Sequence, residues 1–181
     1  MRYTLAILVE NEFGVLAKVA GLFSARGYNI ESLCVAETLD ATISRMTIVT
    51  SGEMEILEQI TKQLNKLINV LKVTEFADTD HVEREMALIK VNAEASVRAE
   101  VLRMVDIFRA KVVDVSPRSY TIEVTGNQEK VNAILELLRP LGIKEVARTG
   151  TVAMARGPKG TKARKGQTED QSGGRNEDLL R

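Results

Sequence analysis

The stretch "VENEFGVLAKVAGLFSARGYNI", Val9–Ile30, sets an amphipathic run between two polar, glycine-bearing ends. Val15, Leu16, Val19, Leu22 and Phe23 fall at i, i+1, i+4, i+7 and i+8, which predicts a helix over Gly14–Arg26 with this stripe facing a core. Gly27 supplies the left-handed residue that commonly ends such a helix. Before it, Tyr3–Val9 is a short apolar run rich in strand formers; after it, Ile30–Glu37 and Ile43–Thr50 read as strands joined by the turn "TLDAT". A second helix follows Gly52, with Ile56, Leu57, Ile60, Leu64 and Leu67 on one side, and "NVLKVTEF" closes the unit as a strand. The order is βαββαβ.

The same order recurs. "EMALIKVN" reads as a strand, Val97, Val101, Leu102, Val105 and Phe108 as a helical stripe, and "KVVDVSP" and "SYTIEVTG" as a strand pair. Asn127–Leu138 is helical, with Val131, Ile134, Leu135 and Leu138 inward, and "IKEVART" is the last strand. A shift of 74 residues carries Thr47–Gly52 onto Thr121–Gly126 and Ile60 onto Ile134, and a repeated pattern is unlike a string of independent coincidences. The fold class is therefore α+β: two tandem ferredoxin-like sandwiches, each an antiparallel sheet with two helices on one face. The first copy spans 1–77, the polar stretch "DTDHVE" at 78–83 is the joint, and the second copy spans 84–157. The tail, 158–181, is glycine-rich and polar and predicts disorder, with its final "DLLR" as a docking hook and Arg156–Lys165 as a solvated basic stretch.

Composition narrows the function. The 181 residues carry 25 basic and 25 acidic side chains; Arg156–Arg181 holds seven and four of these, leaving 18 and 21 on Met1–Ala155, a net of −3. That is a poor footprint for nucleic acid, and the strands lack the stacked aromatics an RNA-binding sheet would use. No apolar run approaches the ~20 residues that span a membrane, so a soluble, cytoplasmic protein without membrane partners is expected. A single cysteine, Cys34, rules out an internal disulfide or a multi-cysteine metal site. His81, the only histidine, sits in the joint and reads as a solvated linker residue, and "GPKGTK" lacks the spacing of a phosphate loop. No catalytic constellation emerges, which argues against an enzyme acting alone.

A binding site does emerge. In the usual strand order 4, 1, 3, 2 the second strand is an edge, and "SLCVA" there carries neither charge nor proline, whereas Lys72 and Glu75 guard the opposite edge. Pairing of this strand with its own copy gives a twofold homodimer with one continuous sheet. That pairing carries the loop Asn11–Gly14 of one chain to Asn29 and Ile30 of the other. Backbone N–H groups at the first helix start favour a carboxylate, Gly14 leaves the approach open, Asn11 and Asn29 can orient a zwitterion, and Val15, Leu16 and Ile30 can wall an aliphatic pocket. The plainer reading treats Asn11 as a cap, Gly14 as a helix start, and Gly27 and Asn29 as stop and turn, which are the commonest uses of these residues.

"NEFGVLAKVAGLFSARGYNIESL", "SRMTIVTSG", "HVEREMALIKV", "IFRAKVVDVSP" and "EVARTGTVAMARG" closely resemble the regulatory (small) subunits of acetolactate synthase, whose N-terminal domain is an ACT domain. The likeness covers Met1–Gly157. It implies a non-catalytic partner that activates the catalytic large subunit and confers feedback inhibition by valine in branched-chain amino-acid biosynthesis. Thiamine diphosphate, Mg and FAD would belong to the catalytic chain. By the same resemblance the effector residues are Asn11, Gly14, Val15 and Leu16 of one chain with Asn29 and Ile30 of the other. A stand-alone ACT-type sensor acting on another enzyme or on a transcription factor is the alternative.

Overall fold

A computed structural model describes residues 1–77 and 79–157; the expectations for the tail at 158–181 lie outside the described residues. The first unit consists of β1 (Arg2–Glu10), α1 (Val15–Ala25), β2 (Ile30–Glu37), β3 (Ile43–Ser51), α2 (Met54–Leu64) and β4 (Val70–Glu75). The second consists of β5 (His81–Asn92), α3 (Arg98–Ile107), β6 (Lys111–Ser116), β7 (Ser119–Gly126), α4 (Gln128–Gly142) and β8 (Ile143–Arg148), followed by β9 (Val152–Ala155). The sheets run β2-β3-β1-β4 and β6-β7-β5-β8, with all pairings antiparallel. Two ferredoxin-like units result, each with its own core, and β2 is an edge of the first sheet.

The repeat holds at the level of packing. Leu57, Ile60 and Leu64 of α2 and Val131, Ile134 and Leu138 of α4, related by the 74-residue shift, are all buried in their respective cores. The two strands they pack over match as well: Ile48 of β3 pairs with Leu5, and Ile122 of β7 pairs with Ile89. At the end of α1 the amide of Gly27 (φ 68°) donates to Ser24 and that of Tyr28 to Phe23, the paired bonds of a Schellman stop. Phe23 and Tyr28 meet edge to face at 6.5 Å, which seals this turn with an aromatic contact.

Three expectations need correction. Leu16 and Leu102, assigned to inward stripes, are exposed, because each lies one residue past a core position, Val15 or Val101, and so about 100° round the helix from the core lines of Val15, Val19 and Phe23 and of Val101 and Val105. The segment 78–83, read as a joint, is strand from His81 onward, because His81–Arg84 pair with Val152–Ala155. His81 is accordingly no solvated linker residue: its ring lies 4.9 Å from that of Phe76, its Nδ1 is 2.7 Å from the Thr79 carbonyl and its Nε2 is 3.4 Å from Glu83.

That added strand joins the two halves. Ala153 of β9 packs with Ala6 and Phe76 on the face of the first sheet away from its helices. Thr4 Oγ1 donates to Glu83 at 2.5 Å, Arg2 reaches Glu83 at 3.3 Å, and Arg45 donates to the Ala153 carbonyl at 2.6 Å. Burial pushes the Glu83 carboxyl up, but the Thr4 hydrogen bond, the Arg2 charge and hydrogen bond, and the His81 contact together bring it net below its ordinary 4.5.

Candidate functional site

The chain leaves β1 at Glu10, makes a short loop and enters α1. Gly14 is the N-cap, at φ 80° and ψ −6°, in the left-handed region that glycine adopts at little cost. No side chain caps the helix and no acidic residue occupies its first turn, so Asn11 is not the cap that plain punctuation would make it. The amides of that turn and the positive end of the helix dipole are left to face a carboxylate. A Cβ placed at Gly14 would meet nothing within 4 Å, so the approach is open.

Asn11 is positioned by the β2–β3 turn. The Asp40 carboxylate accepts hydrogen bonds from Thr42 Oγ1 at 2.6 Å and Thr42 N–H at 3.0 Å, which hold it below the usual carboxylate range and set the turn. The turn then presents its carbonyls: Asn11 N–H donates to Thr42 O at 2.7 Å and Asn11 Nδ2 to Ala41 O at 2.9 Å, with Glu37 Oε1 at 3.2 Å. With Nδ2 so engaged, Oδ1 is the atom of Asn11 available to accept from an ammonium group. Asn11, Glu12 and Phe13 rim an open hollow of about 660 Å3, and Phe13 stands fully exposed at its tip.

The aliphatic residues divide. Val15 is 3% exposed and belongs to the core, and its N–H reaches the Glu12 carbonyl at 3.4 Å, so it gives a ligand no wall and the free first-turn amides are those of Leu16 and Ala17. Leu16, turned outward beside it, is 44% exposed and offers apolar surface at this end, as does the fully exposed Phe13. Sequence reasoning missed Lys18, whose Nζ donates to Asn69 Oδ1 at 2.8 Å while Asn69 Nδ2 donates to Glu10 at 2.6 Å and contacts Glu12 at 3.4 Å. Its position four residues after Gly14, one helical turn on, was the available signal.

Asn29 and Ile30 lie at the other end of the same sheet. Ile30 pairs with Thr50, Thr50 pairs with Tyr3, and Thr50 Oγ1 donates to the Asn29 carbonyl at 2.6 Å. Asn29 is exposed and Ile30 half-buried. From Tyr3 to Glu10 is seven strand residues, roughly 24 Å at ~3.4 Å per residue, so within one chain the two groups do not meet. The structure thus brings Asn11, Gly14, Val15 and Leu16 together and sets Asn29 and Ile30 apart from them.

A family model described as "Small subunit of acetolactate synthase" matches residues 84–157, and one described as "AHAS small subunit-like ACT domain" matches residues 5–72. The chain belongs to the family of acetolactate synthase small subunits. It is 57% identical over 158 residues to the acetolactate synthase small subunit of Mycobacterium bovis, covering 87% of this chain and 94% of that one. It is 55% identical over 159 residues to the probable small subunit of Archaeoglobus fulgidus, covering 88% and 99%. The crystal structure of the small subunit from Thermotoga maritima superposes with a TM-score of 0.80 at 43% identity, over 87% of this chain and 99% of that one. As a member of this family the chain is a regulatory, non-catalytic subunit of a branched-chain amino-acid biosynthetic enzyme, and it implies a catalytic large subunit as partner. No helix among the described residues is long and apolar enough to cross a membrane.

Proposed function

We propose that the chain activates the acetolactate synthase large subunit and makes it sensitive to valine, acting in the cytoplasm as a homodimer through β2. The observation that carries this reading is the uncapped, open start of α1 at Gly14 together with the edge strand β2, whose middle, Ser32–Ala36, is uncharged and whose far end bears Asn29 and Ile30. Antiparallel pairing of two β2 strands would set Asn29 and Ile30 of one protomer beside Asn11, Gly14, Val15 and Leu16 of its partner. The first-turn amides of α1 would take the ligand carboxylate, Asn11 Oδ1 and Asn29 its ammonium, and Leu16 and Ile30 its side chain. Glu10, Glu12, Glu37 and Asp40 near the loop disfavour a second negative charge, which suits a neutral aliphatic amino acid.

Thiamine diphosphate, Mg and FAD are assigned to the catalytic partner, and no nucleic acid is expected at this body of net −3. Valine can alter catalysis only by binding two arrangements of the regulatory pair unequally. The test is reconstitution with the catalytic subunit. Activity should rise on adding the chain and fall again with valine; a large subunit unmoved by the chain, or a complex indifferent to valine, would overturn the proposal.

A further inference from the structure

The start of β2 is held by the second half of the chain. Thr151 N–H donates to Ser32 Oγ at 2.9 Å, across 119 residues. Gly150 (φ 84°) lies so close that a Cβ there would meet Ser32 Oγ at 2.9 Å and the Leu33 carbonyl oxygen at 3.3 Å. Ser32 is two residues from Ile30 of the proposed effector site, and the β2–β3 register shifts between them. The shift leaves Glu31 out of the ladder, with its carboxylate 3.9 Å from Arg2. Ile30 and Glu31 are thus the irregularly paired start of β2, and Ser32, paired with Val49, is the first residue of the regular ladder that runs on to Glu37.

Beside this contact is a cavity of about 330 Å3 between the two halves, lined by Arg2, Glu31, Glu85, Arg148 and the 149–151 turn among others. Arg148 pairs with the buried Glu85, and Arg2 reaches Glu83 as well as Glu31. The lining is polar and its charges are already matched, so the space suits water more than a further ligand, and water leaves room for the turn to shift. The junction is apolar where Ala153 meets Ala6 and Phe76, but at the 149–151 turn polar contacts border a gap wide enough for water and can be exchanged at lower cost than close packing.

We propose that the contact of Ser32 with Gly150 and Thr151 transmits effector occupancy at Asn29 and Ile30 to the C-terminal half, with Ser32 as the positioning residue. This rests on the effector reading above. A ligand held by Asn29 and Ile30 displaces the irregular start of β2, the strain falls on Ser32 where the regular ladder begins, and the 149–151 turn bonded to it, which leads straight into β9, follows. Binding and response are then separable, because Ser32 is not among the residues that would touch the ligand.

The test uses the full chain as Ser32→Ala and Ser32→Thr, with three readouts: calorimetric valine affinity, amide exchange over 149–153 with and without valine, and residual holoenzyme activity at saturating valine. Ser32→Ala should bind valine within about threefold of wild type yet leave a residual activity at least about threefold higher, and Ser32→Thr, which keeps the hydroxyl, should restore the response. In wild type, valine should change exchange of the Thr151 amide, and in Ser32→Ala that change should vanish. An unaltered inhibition plateau in Ser32→Ala, or wild-type exchange at Thr151 indifferent to bound valine, overturns the proposal. Joint loss of affinity and response without rescue by Ser32→Thr also overturns it, by making Ser32 merely structural. Failure of wild type to bind valine at all fails one step earlier and removes the effector reading with it.

Discussion

Replacing Gly14 with aspartate should abolish valine binding at small cost to folding. The position sits at φ 80° with nothing within 4 Å of a built Cβ, so the penalty is conformational and not steric. A non-glycine residue there costs about 1–2 kcal/mol. A carboxylate beside the uncapped helix start returns about 0.3–1 kcal/mol through the dipole, leaving a net loss of about 1 kcal/mol. For a unit of this size that lowers Tm by about 4–8 °C. The effect on binding is much larger. Two carboxylates about 4 Å apart near a protein surface repel by about 4 kcal/mol, and even with half of that screened the affinity falls by at least about thirtyfold. Gly14→Asn is the control, since asparagine tolerates the left-handed region and adds no charge. Calorimetry and thermal melts on the three proteins separate the contributions. Valine binding by Gly14→Asp within about threefold of wild type, or equal losses in the aspartate and asparagine variants, would refute the assignment of the helix start as the carboxylate site.

Other expectations are independent of that charge. Val35→Lys, at a position 39% exposed on the edge strand, places like charges near one another in a β2 pair and should raise the dimer dissociation constant by about tenfold or more; sedimentation showing an undiminished dimer at low concentration would exclude pairing through β2. Deleting the residues after Gly157 should leave activation and valine response intact, and a lost response would make the tail part of the switch. Glu83→Gln should cost about 1–3 kcal/mol at neutral pH, because it weakens the bonds from Thr4 and Arg2 between the two halves. Since the folded-state value of Glu83 is depressed, its contribution is present above 4.5 and is lost as pH falls below that through the folded value, so the gap between wild type and mutant in urea titrations should narrow in acid. A gap as wide at about pH 3 as at pH 7 would assign the loss to packing instead.

Much of the fold was legible because its signals are local and duplicated. Val19 with Phe23, Leu57 with Ile60 and Leu64, and Val131 with Ile134 and Leu138 each declare a helix face by spacing alone, and the second copy checks the first. The extension of β5 back to His81 and the strand β9 were not legible. "DTDHVE" is too charged to read as a strand by itself, and its part from His81 on is one only because Val152–Ala155, about 70 residues later, pairs with His81–Arg84. The fate of His81 followed from that pairing. At the candidate site the sequence singled out Asn11, Gly14, Asn29 and Ile30 as candidates but could not divide Val15 from Leu16, whose neighbouring positions on the helix put one in the core and the other in solvent. Nor could it foresee that Asn11 Nδ2 is taken by Ala41 and Glu37, since those contacts depend on the β2–β3 turn folding back over the loop.

The central claim is that one effector site is assembled from two chains, and a purified heterodimer of Gly14→Asp with Asn29→Ala tests it most directly. Each homodimer of these variants would carry a lesion in both sites. In the heterodimer, if the halves meet across the interface, both lesions fall in one site, and the intact loop of the Asn29→Ala chain faces the intact strand start of the Gly14→Asp chain in the other. Calorimetry should then return one valine per dimer at wild-type affinity, against two for wild type and only weakened binding for either variant alone. A heterodimer that binds no valine, or only with the weakened affinity of its parents, would contradict a site shared between protomers.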